Sequence, residues 1–417
     1  MSRLPLEHIR ILDLTQAWAG AYALQLLGDF GAEVIKVESR TRPDPWRGSF
    51  APRALAFYPT VGPGDHPHNR SYLANSVNRN KYGITLDLSS PEGKAMFLDL
   101  AKTADVVTEN FTPRVLGNLG IGYDVLQQVR PGIILLSMPA FGLSGSYSDF
   151  PGIGGTVEPM SGNSWLLGEP GGSAQVSGVM YPDAVAGLNG AAAVLSALRR
   201  RDVAGEGTHV EISQLESMTA MLGEFFDDAG LASLGRVGNR DRSLVPNGIF
   251  RCAGEEEWVA ISVRDDADWD ALVGRLGNAR LAGPEYRGAA ARRRCEEEIE
   301  GAITAWTTER TATEAEAELL EAGVPAARVR NMADVIACPQ MNATGYLRVL
   351  EQPDSLPPAP VPGIIARLTE TPGNIRLPAA CHGEHSREVL SRILGLDEST
   401  LDDLDARGII GAGPPPD

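Results

Sequence analysis

The amino-acid sequence predicts an α/β protein with a parallel sheet, followed along the chain by a smaller α+β domain. In the first third, short apolar runs alternate with amphipathic stretches, which is the pattern of βαβ units around a parallel sheet. From about residue 231 to residue 324 the pattern changes to a hairpin-like stretch and highly charged helices. A chain of 417 residues is also longer than one hydrophobic core usually supports, so more than one domain is expected.

The periodicity of the first third defines its elements. Continuous apolar runs predict buried strands, and a longer amphipathic stretch that ends at Gly31 predicts a helix between the first two. Ser90 followed by Pro91 predicts another helix start, because proline is favoured in the first helical turn. The predicted strands are Ile9–Leu14, Glu33–Val37, Asp105–Thr108 and Gly132–Met138, and the predicted helices are Ala19–Phe30 and Ser90–Ala101.

The rest of the chain combines a glycine-rich segment, a long helix and a hairpin. Residues 152–178 are rich in glycine and serine and predict either an active-site loop or a mobile linker. An alanine-rich helix is expected from about Asp183 to Arg200, then a strand in GEGTHVEIS and a helix near Leu215–Phe226. The sequence GIFRCAGEEEWVAISV predicts an antiparallel hairpin, the tail resumes a βα pattern, and the final GAGPPPD is expected to be disordered.

Composition narrows the function classes. The net charge of −17, from 37 basic and 54 acidic residues, argues against a nucleic-acid partner. No run approaches the roughly 18 apolar residues of a membrane span, and the start MSRLPLEHIRILDL has no apolar signal region. Four widely spaced cysteines indicate thiols in a reducing compartment and give no metal-ligand spacing. We therefore expect a cytoplasmic protein without a membrane partner or a metal.

The loop after the first predicted strand disfavours a nicotinamide dehydrogenase. It reads Thr15-Gln16-Ala17-Trp18-Ala19-Gly20, without the GxGxxG fingerprint of dinucleotide-binding folds. No permanently bound cofactor is expected.

Six segments occur in order over about Leu4 to Leu396. They are RILDLTQAWAG…LLGDFGAEVIKVE, NRNKYGITLDLSSPEG, ADVVTENFTPRVLGNLGIGYD, YPDAVAGLNGAAAVLSALRRRDVAGEGTHVEISQLE, EAGVPAARVRNMADVIACPQ and GEHSREVLSRILGL. Together they resemble class III CoA-transferases of the CaiB/BaiF type, such as formyl-CoA and carnitine CoA-transferases. The resemblance implies a Rossmann-like large domain (1–225 and 331–400), a small inserted α+β domain (226–330), a flexible tail (401–417) and an interlocked homodimer.

Asp183 matches the nucleophile of the resembled family. Read without the family, an aspartate that opens an alanine-rich helix is most often an N-cap. The two interpretations are compatible, because a helix N-terminus favours the ionised carboxylate that nucleophilic attack needs. The resemblance implies attack on an acyl-CoA thioester, a mixed anhydride, an aspartyl-CoA thioester and transfer of CoA to a second carboxylic acid. Exchange of one thioester for another needs neither ATP nor a metal.

The resemblance also implies where coenzyme A binds. By motif position, Ala17 and Trp18 are expected near the adenine or pantetheine, Arg40 and Lys81 near the phosphates, and Asn110 and Phe111 along the pantetheine arm. The alternative for the two basic residues is solvated surface charge. The sequence departs from the family pattern in having Asn118 where a basic residue is frequent, and Arg114 where glycine is usual. Arg114 is a candidate to compensate.

Several further residues allow two interpretations. Glycines 152, 154, 155, 171 and 172 either shape a loop over the acyl group or provide loop flexibility. Trp46 and Trp165 either line an acyl pocket or are buried for structural reasons. The segment Phe57–Arg70 is longer than in short-chain oxalate-type enzymes, which points to a bulkier acid such as an aromatic or branched one.

Two other functions stay open on the sequence alone. An α-methylacyl-CoA racemase of the same fold pairs the aspartate with a histidine in the loop after the GIILLSM-type strand. That loop has no histidine here, since none occurs between His68 and His209. The second alternative is a subunit that works with a second related chain, and the retained Asp183 argues against a catalytically inactive one.

Overall fold

The structure is a computed structural model that describes residues 4–48, 62, 64–226, 235–241 and 243–415. Residues 57–61 and 63 of the segment Phe57–Arg70 lie outside these residues. The relation between the length of this segment and the size of the substrate therefore stays a prediction. The chain divides into two compact units. The first consists of Met1–Ser164, Val176–Leu231 and Asn342–Asp417, and the second of Trp165–Gln175 and Ala232–Met341.

The strands of the described chain form three sheets. Their bounds are β1 Arg10–Asp13, β2 Glu33–Glu38, β3 Lys81–Thr85, β4 Val106–Glu109, β5 Ile134–Ser137, β6 Thr208–Glu211, β7 Asn247–Arg251, β8 Trp258–Ser262, β9 Ala326–Arg328, β10 Leu347–Leu350 and β11 Ala359–Pro362. The first six make a parallel sheet in the order β3-β2-β1-β4-β5-β6. The predicted α/β class with a parallel sheet is confirmed.

Helices follow most of the strands. Their bounds are α1 Ala19–Asp29, α2 Tyr72–Val77, α3 Pro91–Ala101, α4 Arg114–Leu119, α5 Tyr123–Val129, α6 Gly154–Met160, α7 Asn163–Leu166, α8 Tyr181–Ala204, α9 Gln214–Thr219, α10 Asp266–Leu276, α11 Ala289–Arg294, α12 Glu296–Thr307, α13 Ala312–Glu321, α14 Met332–Ile336, α15 Pro339–Ala343, α16 Ser386–Leu394 and α17 Glu398–Ala406. As the sequence predicts, α3 starts at a proline, and the side chain of Ser90 accepts a hydrogen bond from the Gly93 N–H.

The parallel sheet separates two hydrophobic cores of the first unit. Because successive side chains of a strand point to opposite faces, Ile11 belongs to one core and Leu12 to the other. The same alternation divides Val34 from Ile35. One face packs against α3, α5, α16 and α17, and the other against α1 and α8. The helices α1 and α8 lie against each other, and their shared N-terminal end carries the candidate site.

The second unit contains the antiparallel sheet β7-β8-β9. Strands β7 and β8 form the hairpin that the sequence predicts. Helices α10, α12 and α13 cover the sheet, with Trp269, Ile299 and Leu319 in the core.

Three segments differ from the sequence prediction. Strand β3 was not expected, because it begins with the charged Lys81. Helix α6 lies in the segment predicted as a loop, and its bounds include two glycines and Pro159. The predicted flexible tail begins inside α17, and residues beyond it accept hydrogen bonds from the Arg40 guanidinium.

Candidate active site

Asp183 lies in the first turn of α8, and its side chain is 5% exposed. The residue at the N-cap is Met180, so the interpretation of Asp183 as the N-cap itself is wrong. The backbone N–H groups of Ala19 and of Asp183 itself lie close enough to the carboxylate to lower its pKa. The Asp183 N–H donates to the Met180 carbonyl at 3.1 Å. Ala19 is the first residue of α1. The carboxylate therefore meets the N-terminal ends of two helices, which carry partial positive charge.

Burial sets the proton affinity of this carboxylate. Removal from water raises the pKa of Asp183 from its usual 3.8 to about 6, while the two backbone N–H groups lower it in part. With a pKa of about 6, roughly nine-tenths of the groups are ionised at pH 7. A carboxylate that is ionised yet poorly solvated is a better nucleophile than one in bulk water.

The two oxygens of Asp183 have different surroundings. Oδ2 is buried and has no hydrogen-bond partner in the described part of the chain. It faces the backbone of Gly154 in α6, where an added Cβ would lie 2.2 Å from Oδ2. One helical turn after Asp183, Gly187 lets α8 approach α1, since a Cβ there would lie 2.8 Å from the carbonyl oxygen of Ala19. Both glycines therefore permit contacts that bring the carboxylate to its place.

Glu158 is the other carboxylate near this helix end in sequence, and its hydrogen bonds are satisfied. It is buried in α6. Its Oε1 accepts from the Asn163 amide at 2.9 Å and from the Ser177 N–H at 3.0 Å. Its Oε2 accepts from the Ser177 hydroxyl at 2.9 Å. Glu158 therefore fixes α6 to the segment that leads into α8, which is a structural role.

The β1–α1 loop presents the Ala19 N–H. Ala17 in this loop has a left-handed φ of 58°, which is unfavourable for a residue with a Cβ. Its N–H donates to Asp44 Oδ1 at 3.0 Å. Asn110, after β4, accepts from the Gln16 N–H at 2.8 Å and donates to the Gln16 carbonyl at 2.7 Å. These contacts hold the strained turn in place.

A buried group of charges lies beneath that loop. Lys81 Nζ donates to Asp13 Oδ2 at 3.0 Å, to the Ala21 carbonyl at 2.9 Å and to Asn78 Oδ1 at 2.9 Å. Lys36 Nζ donates to the Thr15 carbonyl at 2.7 Å. The three protons of the Lys81 ammonium are all used, so a phosphate would have to displace one of these oxygens.

A cavity of about 530 Å³ opens at the carboxyl ends of β1, β2, β3 and β4. Gln16, Ser39, Arg42, Ser89 and Phe111 are among its lining residues. Ligands of open α/β sheets bind outside the carboxyl ends of the strands, where the strand order reverses, and this sheet reverses between β1 and β4. Of the residues predicted to bind coenzyme A, Phe111 lines this cavity.

Four further residues with roles predicted from the sequence lie in four different places. Trp18 precedes α1 and packs on the ring of Trp46, with centroids 5.8 Å apart. Arg40 donates to the backbone carbonyls of residues 410, 413 and 414 at 3.0 to 3.2 Å. Arg114 is exposed and lies 3.4 Å from the carboxylate of Asp149. Trp165 is 57% exposed under the guanidinium of Arg236, so the interpretation of a buried structural tryptophan is wrong for that residue.

Two of the groups beside Asp183 were not predicted from the sequence, because the Ala19 N–H is a backbone group and Gly187 acts through the absence of a side chain. Gly154 was among the glycines expected to shape a loop over the acyl group, and it lies in helix α6 beside Asp183 Oδ2. The spacing of Gly187, four residues after Asp183, is a signal that marks one helix face. Arg42, which lines the cavity, lies two positions after Arg40, and the motif position favoured Arg40.

The described residues were also compared with the requirements of a membrane-spanning helix and of a metal site. None of their helices is both long enough and apolar enough to span a membrane. The same residues contain no cluster of three side chains suited to hold a metal ion.

Comparisons with family models, with characterised proteins and with solved structures all point to the same family. The family described as CoA-transferase family III matches residues 6–386. Succinyl-CoA–D-citramalate CoA-transferase of Chloroflexus aurantiacus is 32% identical over 410 residues, covering 97% of this chain and 98% of that protein. The alpha subunit of succinyl-CoA–L-malate CoA-transferase from Chloroflexus aurantiacus is 31% identical, covering 98% and 93%. A crystal structure of a CaiB/BaiF family protein from Brucella suis matches with a TM-score of 0.81 and 27% identity, covering 94% and 100%.

The matches extend over nearly the whole chain and agree with the fold. The resemblance stated from the six sequence segments is therefore confirmed. The family and the named relatives also favour transfer over the racemase alternative. This chain belongs to CoA-transferase family III and is a CoA-transferase, an enzyme whose substrates are CoA thioesters.

Proposed function

We propose that the chain moves coenzyme A from an acyl-CoA donor to a carboxylic acid through a thioester on Asp183. The observation that carries this proposal is the carboxylate itself. It is buried at the N-terminal ends of two helices, and one of its oxygens has no partner among the described residues. A carboxylate that lacks a hydrogen-bond donor at one oxygen is less stabilised in its ionised form and is therefore more nucleophilic.

The proposed reaction conserves atoms and charge at each step. The Asp183 carboxylate attacks the thioester carbonyl, the carbon–sulfur bond breaks, and CoA leaves as a thiolate. The mixed anhydride that remains is attacked by this thiolate at the Asp183 carbonyl, which releases the donor acid as its carboxylate. The acceptor carboxylate then reverses these two steps. It attacks the aspartyl-CoA thioester and expels the CoA thiolate, and the thiolate attacks the resulting mixed anhydride at the acceptor carbonyl, which forms the new acyl-CoA and frees the Asp183 carboxylate. The helix N-termini stabilise the anionic forms of Asp183 along this sequence.

We place the nucleotide of coenzyme A in the cavity of about 530 Å³. Its rim carries the exposed Arg42, a cation suited to phosphate oxygens, and its wall carries Phe111. The loop that lines the cavity at Gln16 supplies the Ala19 N–H three residues later, a span of at most about 11 Å. A pantetheine arm along this loop would therefore lead to Asp183. In this arrangement Ala17, Trp18 and Asn110 shape the path.

The predicted phosphate contacts of Arg40, Lys81 and Arg114 have less support. Arg40 and Lys81 are buried and bonded to protein oxygens, whereas Arg114 is exposed beside Asp149. We therefore propose Arg42 as the first phosphate contact to test. Arg42→Ala should raise KM for acyl-CoA with a smaller change in kcat, because it would remove binding common to the ground and transition states.

For the substrates, we propose succinyl-CoA as the donor and a small dicarboxylic acid as the acceptor. The support is the set of relatives named for succinyl-CoA together with D-citramalate or L-malate. The bulkier aromatic or branched acid predicted from the Phe57–Arg70 segment remains the alternative acceptor. A panel of donor and acceptor pairs, read by liquid chromatography of the CoA esters, distinguishes the two.

The Asp183→Asn variant tests the proposed function. An amide cannot attack the thioester, so exchange should fall by several orders of magnitude while the fold is kept. Asp397→Asn is the matched control, because Asp397 is an exposed aspartate that caps α17. Near-parental exchange by Asp183→Asn would refute the role of Asp183.

We also propose a homodimer. Helix α8 has a row of exposed apolar side chains, in which Tyr181, Leu188 and Leu195 are 46%, 51% and 46% exposed and recur every seven residues. A second copy is the occupant we favour, because this exposed row lies on the helix that carries Asp183. One relative is named as an alpha subunit, so a second related chain is the alternative. Light scattering and exchange by the purified chain alone separate the two.

A further inference from the structure

The contact between α6 and the nucleophile has no assigned role. Gly154 is buried and Gly155, its neighbour in the same helix, is exposed. A Cβ on Gly154 would lie 2.2 Å from Asp183 Oδ2 and 2.6 Å from Met180 Cβ. A Cβ on Gly155 would have nothing within 4 Å. The two positions therefore differ in their relation to the site, although both are helical glycines.

Helix α6 is fixed at both ends, so it has little freedom to withdraw from a bulkier residue. Before it, Gly152 packs so closely that a Cβ would lie 2.4 Å from Ala140 Cβ. Near its C-terminal end, Glu158 accepts three hydrogen bonds from Asn163 and Ser177. A side chain at position 154 would therefore move the Asp183 carboxylate rather than the helix.

We propose that Gly154 is a positioning residue that sets the place of the nucleophilic carboxylate by leaving the space that Oδ2 occupies. This inference rests on the proposed role of Asp183. An ordinary carbon–oxygen contact is longer than 3 Å, so a methyl group at position 154 would displace Oδ2 by about 1 Å. Displacement of a reacting group by about 1 Å can lower a rate about 100-fold.

The experiment compares Gly154→Ala with the matched variant Gly155→Ala in the full-length protein, using succinyl-CoA and a dicarboxylate panel. We expect kcat of Gly154→Ala to fall about 100-fold with KM for acyl-CoA changed only a few-fold, because the cavity residues are untouched. We also expect its pH midpoint to move below that of the parent, since a displaced carboxylate gains water. Gly155→Ala should match the parent in all three quantities. Equal kcat and pH midpoint for the two variants would overturn the inference.

Asp183→Asn in the same assay separates the positioning role of Gly154 from the nucleophilic role of Asp183. Loss of exchange in Asp183→Asn but not in Gly154→Ala refutes the positioning role alone, whereas activity in Asp183→Asn refutes the proposed function. Unfolding midpoints provide a test without activity. Gly154→Ala should lower the midpoint more in the parent than in an Asp183→Ala background, where Oδ2 is absent. Equal shifts of the unfolding midpoint, or insolubility in both backgrounds, would show that the added methyl group clashes with something other than Oδ2. Either result would overturn the inference.

Discussion

Replacement of Asp183 by asparagine should change the stability of the protein in a pH-dependent way. The folded pKa of about 6 is above the unfolded value of about 3.9, so the folded state holds the proton more tightly. The ionised carboxylate therefore destabilises the folded state. This penalty is absent below pH 4, grows between pH 4 and 6, and levels off above pH 6. Two pKa units correspond to about 3 kcal/mol at pH 7.

The asparagine variant avoids that penalty but carries an N–H₂ group in the buried site. An unsatisfied buried donor costs about 1–2 kcal/mol, so the net gain in unfolding free energy at pH 7 should be about 1–2 kcal/mol. The gain should shrink by about 1.4 kcal/mol at pH 5, because pH 5 lies roughly one unit below the folded pKa. Urea unfolding of parent and variant at both pH values measures the difference.

Asp397→Asn is the control, because the pKa of Asp397 is shifted in the opposite direction from that of Asp183. Hydrogen bonds from Thr400 and Ser399 lower the pKa of Asp397, so its ionised form stabilises the folded state above the unfolded pKa, and that contribution is lost as pH falls. This variant should gain no stability at pH 7. If Asp183→Asn shows the same difference from the parent at pH 7 and pH 5, the account of its burial is wrong.

Two further predictions concern the charges of the site. Lys81→Ala removes the ion-pair partner of the buried Asp13 Oδ2 and should lower the unfolding free energy in urea by about 3–5 kcal/mol. Lys102→Ala, in an exposed pair, should change it by less than about 1 kcal/mol. A similar small effect of both variants would contradict a structural role for Lys81. The exchange rate should fall below pH about 6 as Asp183 takes up a proton, and a rate that is constant down to pH 4.5 in a pH series would show that its ionisation does not limit the reaction.

The fold was predictable where the local pattern of apolar residues alone determined a strand or helix. The strands β1, β2, β4 and β5 are apolar runs buried on both faces, and their periodicity identifies them. Strand β3 was missed because its first residue is a lysine, which is buried here through hydrogen bonds to Asp13, Ala21 and Asn78. Helix α6 was missed because its glycines and proline have low helix propensity, and contacts such as those of Glu158 stabilise it.

The site was predictable only in part, for a similar reason. The resemblance identified Asp183, but its environment depends on Ala19 and Gly154, which are brought to it by tertiary packing. A sequence also does not show whether a basic residue is paired. Arg40 and Lys81 both matched a phosphate-binding motif, and both are bonded to protein oxygens, so their phosphate contacts stay predictions. The cavity that Arg42 lines became visible only once four strand ends were placed together.

The proposed mechanism depends most on a covalent intermediate at Asp183. The purified chain is incubated with succinyl-CoA without an acceptor, and the products are trapped with hydroxylamine or borohydride and digested. Before trapping, the proposed mechanism predicts an intact mass increased by bound CoA. After trapping, it predicts a modification on the peptide that contains Asp183. The Asp183→Asn variant should show neither. No adduct in an actively exchanging enzyme, or a modification that maps to Glu158 instead, would contradict it.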